Sequence, residues 1–269
     1  SVTYVNTSGN TWTAVYTTES NDTTGSVTYS IAFSDSAGNA GTAVTSGTGS
    51  VTFDKTAPTL SSVSIASNNS TTTLAKASNV VTLTFTASET IASPVVTFVS
   101  GGAAITDTSV TYVNTSGNIW TAAYTANASD TDGSVTYSIA FSDSAGNAGT
   151  AVTGGSVTFD KTAPTASVTT AAIPNTGNAV VQSTETGTAY LVKTTVSVSN
   201  LASITGAADS QQNSVTISSA ATNTNLAATG LVDGTYKVYA VDAAGNLSSA
   251  STNSVTLDTT APTAPSVSG

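Results

Sequence analysis

The stretch GSVTYSIAFSDSAGNAGTAVT occupies residues 25–45 and recurs unchanged at residues 133–153. Its first part alternates. Val135, Tyr137, Ile139 and Phe141 are apolar, and Ser134, Thr136, Ser138 and Ala140 stand between them. A period of two with β-branched and aromatic residues predicts a strand that buries one face. The Asp-Ser-Ala-Gly-Asn that follows is turn chemistry, because aspartate bonds to nearby backbone while glycine and asparagine tolerate positive φ.

The repetition extends outward from this stretch. SVTYVNTSGNTWTAVYT begins at Ser1, and SVTYVNTSGNIWTAAYT begins at Ser109. Each copy closes with SVTFDKTAPT, at Thr59 and at Thr165. The offset is 109 − 1 = 108 at the start and 165 − 59 = 106 at the end, so two residues are lost between copies. A third, diverged unit closes with SVTLDTTAPT at Thr263. Pro58, Pro164 and Pro262 lie 106 and 98 residues apart. That period is too long for a stacked solenoid unit, so each repeat should own a core.

Other segments read the same way. In VVTLTFTA, Val81, Leu83 and Phe85 alternate with Thr82, Thr84 and Thr86, and Trp120, Ala122 and Tyr124 share one face. No 3.6-residue stripe is present, and the Ala-rich stretch around Ala220 reads as loop. About seven short strands per roughly 100 residues, with frequent turn signals, predict an all-β chain of tandem immunoglobulin-like Greek-key β-sandwich domains, arranged as beads on a string. Asp233-Gly234-Thr235-Tyr236 resembles a tyrosine corner, with Tyr29 and Tyr137 in the matching place. The expected organisation is the C-terminal half of a first domain at 1–54, complete domains at 55–160 and 161–258, and a linker with the first strand of a fourth at 259–269. Ser1 matches Ser109, which lies 109 − 60 = 49 residues into its unit. The first unit therefore lacks its early strands, to be supplied by sequence upstream or by another chain.

Composition narrows the function. Fifteen acidic residues against five lysines, with no arginine or histidine, give a net charge of −10. Nucleic acid is excluded as an expected partner, since phosphate binding needs clustered basic residues. No signal-peptide pattern or apolar run long enough to insert in a membrane is present. Without histidine, cysteine or arginine the chain lacks the usual base, nucleophile and anion clamp, so it reads as no enzyme.

Three elements carry a family resemblance. One is the Asp-x-Ala-Gly-Asn loop at Asp35–Asn39, Asp143–Asn147 and Asp242–Asn246. Another is the Asp-[Lys/Thr]-Thr-Ala-Pro-Thr linker. The third is the strand ending at Glu89 or Glu185. The units resemble the bacterial immunoglobulin-like (Big-type) repeats of giant, type I-secreted surface adhesins. The resemblance implies a long extracellular stalk, often stiffened by calcium between domains, on the bacterial surface or in a secreted matrix.

Topology supplies a site hypothesis. The loop after the second strand, the loop between the last two strands and the incoming linker all lie at one end of such a sandwich. Asp54, Glu89 and Asp143 should meet at the first junction, and Asp160, Glu185 and Asp242 at the second. Ca²⁺ prefers 6–8 oxygens, and Asn147, Asn246, carbonyls and water would complete the shell. Asp35 and Asp258 would be half-sites. The competing reading is turn chemistry without metal. Lys193 beside Glu185 is the best-placed lysine for a cross-link to a side chain. Three functions follow in order: a spacer whose partners are its neighbouring domains, a filament or matrix subunit completed by other copies, and a carbohydrate-binding module. The last lacks an exposed aromatic platform in the sequence.

Overall fold

A computed structural model of the chain describes residues 1–264. The first unit contains β1 (Val2–Ser8), β2 (Thr11–Tyr16), β3 (Gly25–Ser26) and β4 (Thr52–Phe53). They form two separate two-stranded sheets, β1–β2 and β3–β4. Trp12, Ile31 and Phe33 are 66%, 52% and 55% exposed there. In the second unit Ile139 and Phe141, the counterparts of Ile31 and Phe33, are 0% and 7% exposed. The same sequence is thus covered only where the preceding half of a sandwich accompanies it, since two strands cannot bury their own apolar face.

The second unit supplies that half. Its strands are β5 (Leu60–Ser67), β6 (Leu74–Ala75), β7 (Val80–Ala87), β8 (Val95–Ser100), β9 (Ala103–Ala104), β10 (Thr111–Ser116), β11 (Ile119–Thr125), β12 (Gly133–Ala140) and β13 (Val152–Phe159). One sheet has the order β10-β11-β7-β5 and the other β6-β13-β12-β8-β9. The first edge strand is split. Its first part, β5, pairs antiparallel with β7, and its continuation, β6, crosses to pair parallel with β13. Along β7 the residues alternate strictly between half-buried and buried. Val81, Leu83 and Phe85 face Phe98, Tyr124, Ile139 and Phe159 in one core. This is the immunoglobulin sandwich, with outer faces of threonine and serine.

The third unit repeats the plan with changes. Its strands are β14 (Ala166–Val168), β15 (Ala171–Ile173), β16 (Asn178–Ser183), β17 (Gly187–Lys193), β18 (Gln212–Ile217), β19 (Thr224–Ala227), β20 (Gly234–Asp242) and β21 (Val255–Leu257). The sheets are β14-β16-β19 and β15-β21-β20-β17-β18, so the strand matching β10 is gone. A one-turn helix, α1 (Leu201–Thr205), enters between β17 and β18. Asn200 caps it reciprocally with Ser203. One turn carries no period, which is why the pattern above gave no sign of it. Residues 258–264 are not strand, and the remainder of the expected fourth-domain strand lies outside the described residues.

The tyrosine corner forms at one of its expected places. The Tyr236 hydroxyl donates to Val232 O at 2.7 Å and to Ser210 O at 3.2 Å. Tyr137, by contrast, is half-buried and lies over Gly154, where an added Cβ would meet its hydroxyl at 2.7 Å. In the second domain the same loop is tied by Asp130, which is buried and accepts from Thr106 N, Thr106 Oγ1 and Asn127 N. The Tyr236→Phe variant should lose about 1–2 kcal/mol of third-domain stability by leaving two carbonyls without their donor. Tyr137→Phe should change stability by less than about 0.5 kcal/mol. Urea unfolding of the two variants checks the contrast, and equal losses would refute it.

Candidate metal centres

Each linker begins with an aspartate that shapes it. Asp54, Asp160 and Asp258 each accept, through Oδ1, the backbone N–H two residues on, at 2.9 Å. Pro58 and Pro164 are buried against the domain that follows, whereas Pro262 is exposed. The linker then locks to the strand end beside the glutamate. Thr59 N donates to Ser88 Oγ at 3.0 Å, and Ser88 N donates to Thr59 O at 2.9 Å. Thr165 and Thr184 repeat the exchange at the second junction. These bonds place Asp54 near Glu89 and Asp160 near Glu185.

The loop from the other sheet completes each set. Asn147 N donates to Asp143 Oδ1 at 2.8 Å, and Asn147 Nδ2 donates both to Asp143 Oδ2 at 2.7 Å and to Asp54 O at 3.1 Å. At the second junction Asn246 makes the same three bonds, to Asp242 at 2.8 Å twice and to Asp160 O at 2.9 Å. Each asparagine therefore staples a buried loop carboxylate to the linker of the preceding unit. The amide nitrogens of Asn147 and Asn246 thus position the loop carboxylate against the linker, and these bonds leave each Oδ1 outside the staple.

The outcome is two matching clusters. Asp54, Glu89 and Asp143 bring one carboxylate oxygen each within 4.8 Å of one another, and so do Asp160, Glu185 and Asp242. Asp143 and Asp242 are buried and the other four half-buried. Hard oxygen donors at this spacing fit a hard divalent cation of the calcium type. Asp35 makes the same bonds with Asn39 as its counterparts do, yet is exposed and meets no linker. The loop motif is therefore self-sufficient turn chemistry, and only convergence with the linker and the glutamate makes a cluster. Asp258 is likewise exposed.

The charges feel this crowding unequally. Burial lifts the Glu185 carboxyl above its ordinary range, and the charges of Asp160, Asp242 and Asp132 add to the lift. Burial also lifts Asp160, against the pull of the Thr162 N–H, with Asp242 and Asp132 contributing. Asp143 moves the other way, held low chiefly by the Asn147 amide. Asp132 was not among the expected site residues. Its Oδ1 accepts from Lys161 N at 2.8 Å and its Oδ2 from Thr162 Oγ1 at 2.7 Å, which holds the two linker residues that follow Asp160. Thr24 takes its place in the first unit, and that substitution between copies was the signal available.

Two cross-domain bonds were also missed. Asn69 Nδ2 donates to Ala244 O at 2.9 Å and Lys76 Nζ to Gly245 O at 2.5 Å. With so few lysines in the chain, each had a position worth explaining. Lys193 donates to Asp233 O at 2.8 Å, which gives no support to a cross-link with Glu185.

No protein-family model and no curated protein matches the chain. Among solved structures it is similar to the IG1+IG2 fragment of DIP-gamma, at 10% identity over 76% of this chain and 97% of that one, with a TM-score of 0.34. It is also similar to a titin I-band fragment, at 12% identity over 75% and 65%, with a TM-score of 0.36. The Ig1-2 module of the Drosophila receptor protein tyrosine phosphatase DLAR gives 13% identity over 75% and 98%, with a TM-score of 0.25. The chain is a tandem array of immunoglobulin-like domains. The strand orders of the second and third units, two facing sheets each, are those of the immunoglobulin sandwich.

The raised carboxyls set a sign for pH dependence without divalent cations. A folded-state pKa above the unfolded value means that the folded state holds the proton more tightly. The contribution of Glu185 and Asp160 to stability is then greatest at or below the ordinary carboxylate range and declines as pH rises through the lifted values. In chelator at pH 7, Glu185→Gln should raise the third domain's Tm by about 2–5 °C, and at pH 3.5 it should leave Tm unchanged. A Tm lowered at pH 7 would contradict this assignment.

Proposed function

We propose that the chain is a spacer in a bacterial cell-surface adhesin or biofilm matrix protein, outside the cell, with calcium stiffening its interdomain junctions. The observation that carries this reading is the recurrence of an Asp-Glu-Asp cluster at two successive junctions, each built from a linker and two loops of the next domain. Carboxylates so placed repel one another, and a divalent cation would turn the repulsion into a tie between domains. A catalytic pair would be expected once, whereas these clusters repeat with the domains. No helix among the described residues is long and apolar enough to cross a membrane.

The exposed face of residues 1–54 favours a second reading, a filament completed by strands from another copy.

Calorimetric titration should find two calcium ions per chain, with magnesium binding more weakly because it requires tighter octahedral geometry. At a hundredfold excess over Kd, binding contributes about 2.7 kcal/mol to the ordered state. Small-angle scattering should show a longer, narrower profile with calcium than with chelator. Asp143→Asn together with Asp242→Asn should abolish both effects. Calcium-independent scattering with no binding heat would leave the clusters as turn chemistry.

A further inference from the structure

Beside the second junction, outside the carboxylate cluster, lies an open cleft of about 670 Å³. Its walls include Lys76 and Lys161 from the second domain and its linker, and Ser199, Leu201 and Tyr239 from the third. Sites for small ligands commonly sit at domain boundaries and have volumes of this order.

The third domain departs from the repeat where it borders this cleft. The insertion that carries α1 sits between β17 and β18, whereas β8 and β9 of the second domain are joined by two residues. Tyr239 is the second departure. It lies 242 − 239 = 3 residues before the loop aspartate, as Ala140 lies 143 − 140 = 3 before its own. Tyr239 is paired in register with Tyr190, and Ala140 with Val95. An alanine and valine pair has thus become a tyrosine pair. Both tyrosines point away from the core, because their neighbours Ala189, Leu191, Val238 and Ala240 are the buried ones. Directly opposed residues on neighbouring strands share a face. The outcome is a half-exposed aromatic surface that core packing does not require.

The polar groups add a charge preference. Lys76 Nζ donates to Gly245 O and Lys161 Nζ to Asp130 O. An ammonium has three N–H bonds, so each lysine keeps two for a ligand. These are two of only five cationic side chains in a protein of net charge −10.

We propose that this cleft binds an oligosaccharide bearing carboxylates. The apolar C–H face of a pyranose ring packs on the tyrosine surface, Ser199 offers a hydroxyl, and the two ammonium groups take a uronate carboxylate. This is the aromatic platform that the sequence alone did not show. The cluster of Asp160, Glu185 and Asp242 adjoins the cleft through Asn246, which lines it and bonds to Asp242 and Asp160 O, and it opposes an anion. The titration is therefore run in 0.15 M salt, which weakens the repulsion between exposed charges.

The test uses the full chain, titrated by calorimetry and ¹⁵N chemical-shift mapping with an oligogalacturonate and with a neutral oligoglucoside of equal length. The uronate should bind with a submillimolar Kd and the neutral sugar at least tenfold more weakly. Tyr239→Ala and Tyr190→Val install the residues that the second domain carries, so the fold should tolerate them, as an unchanged Tm would verify. Tyr239→Ala, which removes a residue of the cleft wall, should weaken uronate binding at least tenfold, and Tyr190→Val, opposite it on the neighbouring strand, should weaken it less. Lys76→Gln keeps a donor for Gly245 O and should erase the preference for the charged sugar. The proposal fails if neither sugar binds at millimolar concentration, if both bind equally, or if the tyrosine variants bind as the parent does.

Discussion

The antiparallel connectivity of the sandwich is the constraint from which the junctions follow. In the second and third domains the opening strand begins on one sheet and crosses to the other, as β5 and β6 do and as β14 and β15 do. The linker therefore enters at the end where the loops after β7 and β12, or after β16 and β20, also emerge. A carboxylate on the linker is brought close to carboxylates on those loops by chain direction alone. Side-chain chemistry then refines the placement, with a hydroxyl exchange on one side, Thr59 with Ser88 or Thr165 with Thr184, and an asparagine staple on the other.

That refinement differs between the junctions in a way that bears on stiffness. At the second, Asp132 grips the linker just after Asp160, while Asn69 and Lys76 reach carbonyls of the next domain's loop. At the first, Lys55 reaches Ser20 O and Asp22 O, and Thr24 stands where Asp132 would be. The extra carboxylate both orders the linker and adds to the charge pressing on Asp160 and Glu185. Order and electrostatic cost thus rise together, and the same residue contributes to both.

Much of this was legible because the repeats are nearly exact and the strands alternate cleanly. Val81, Leu83 and Phe85 announced a buried face, and known loop placement in a sandwich was enough to bring Asp54, Glu89 and Asp143 together. What escaped had weaker signals. The direction of the Asn147 amide depends on which acceptors surround it, not on its identity. Tyr137 matched Tyr236 by position, yet Asp130 and Thr106 tie the loop in that domain. The aromatic pair of Tyr190 and Tyr239 comes from strands about fifty residues apart, and only their register reveals it.

The near-identity of the first two units has a consequence for how the chain reaches its native state. Residues 1–45 and 109–153 differ at seven aligned positions: 11, 15, 18, 19, 20, 21 and 24 of the first copy. The core-forming Tyr124, Val135, Ile139 and Phe141 have identical counterparts in Tyr16, Val27, Ile31 and Phe33. The earlier half of the second domain therefore meets two almost indistinguishable suitors during folding, one on either side of it in the sequence. Pairing with the wrong one is the misassembly to which tandem repeats are prone. The third domain has escaped that ambiguity by diverging, and sequence divergence between neighbours here acts as protection for the fold.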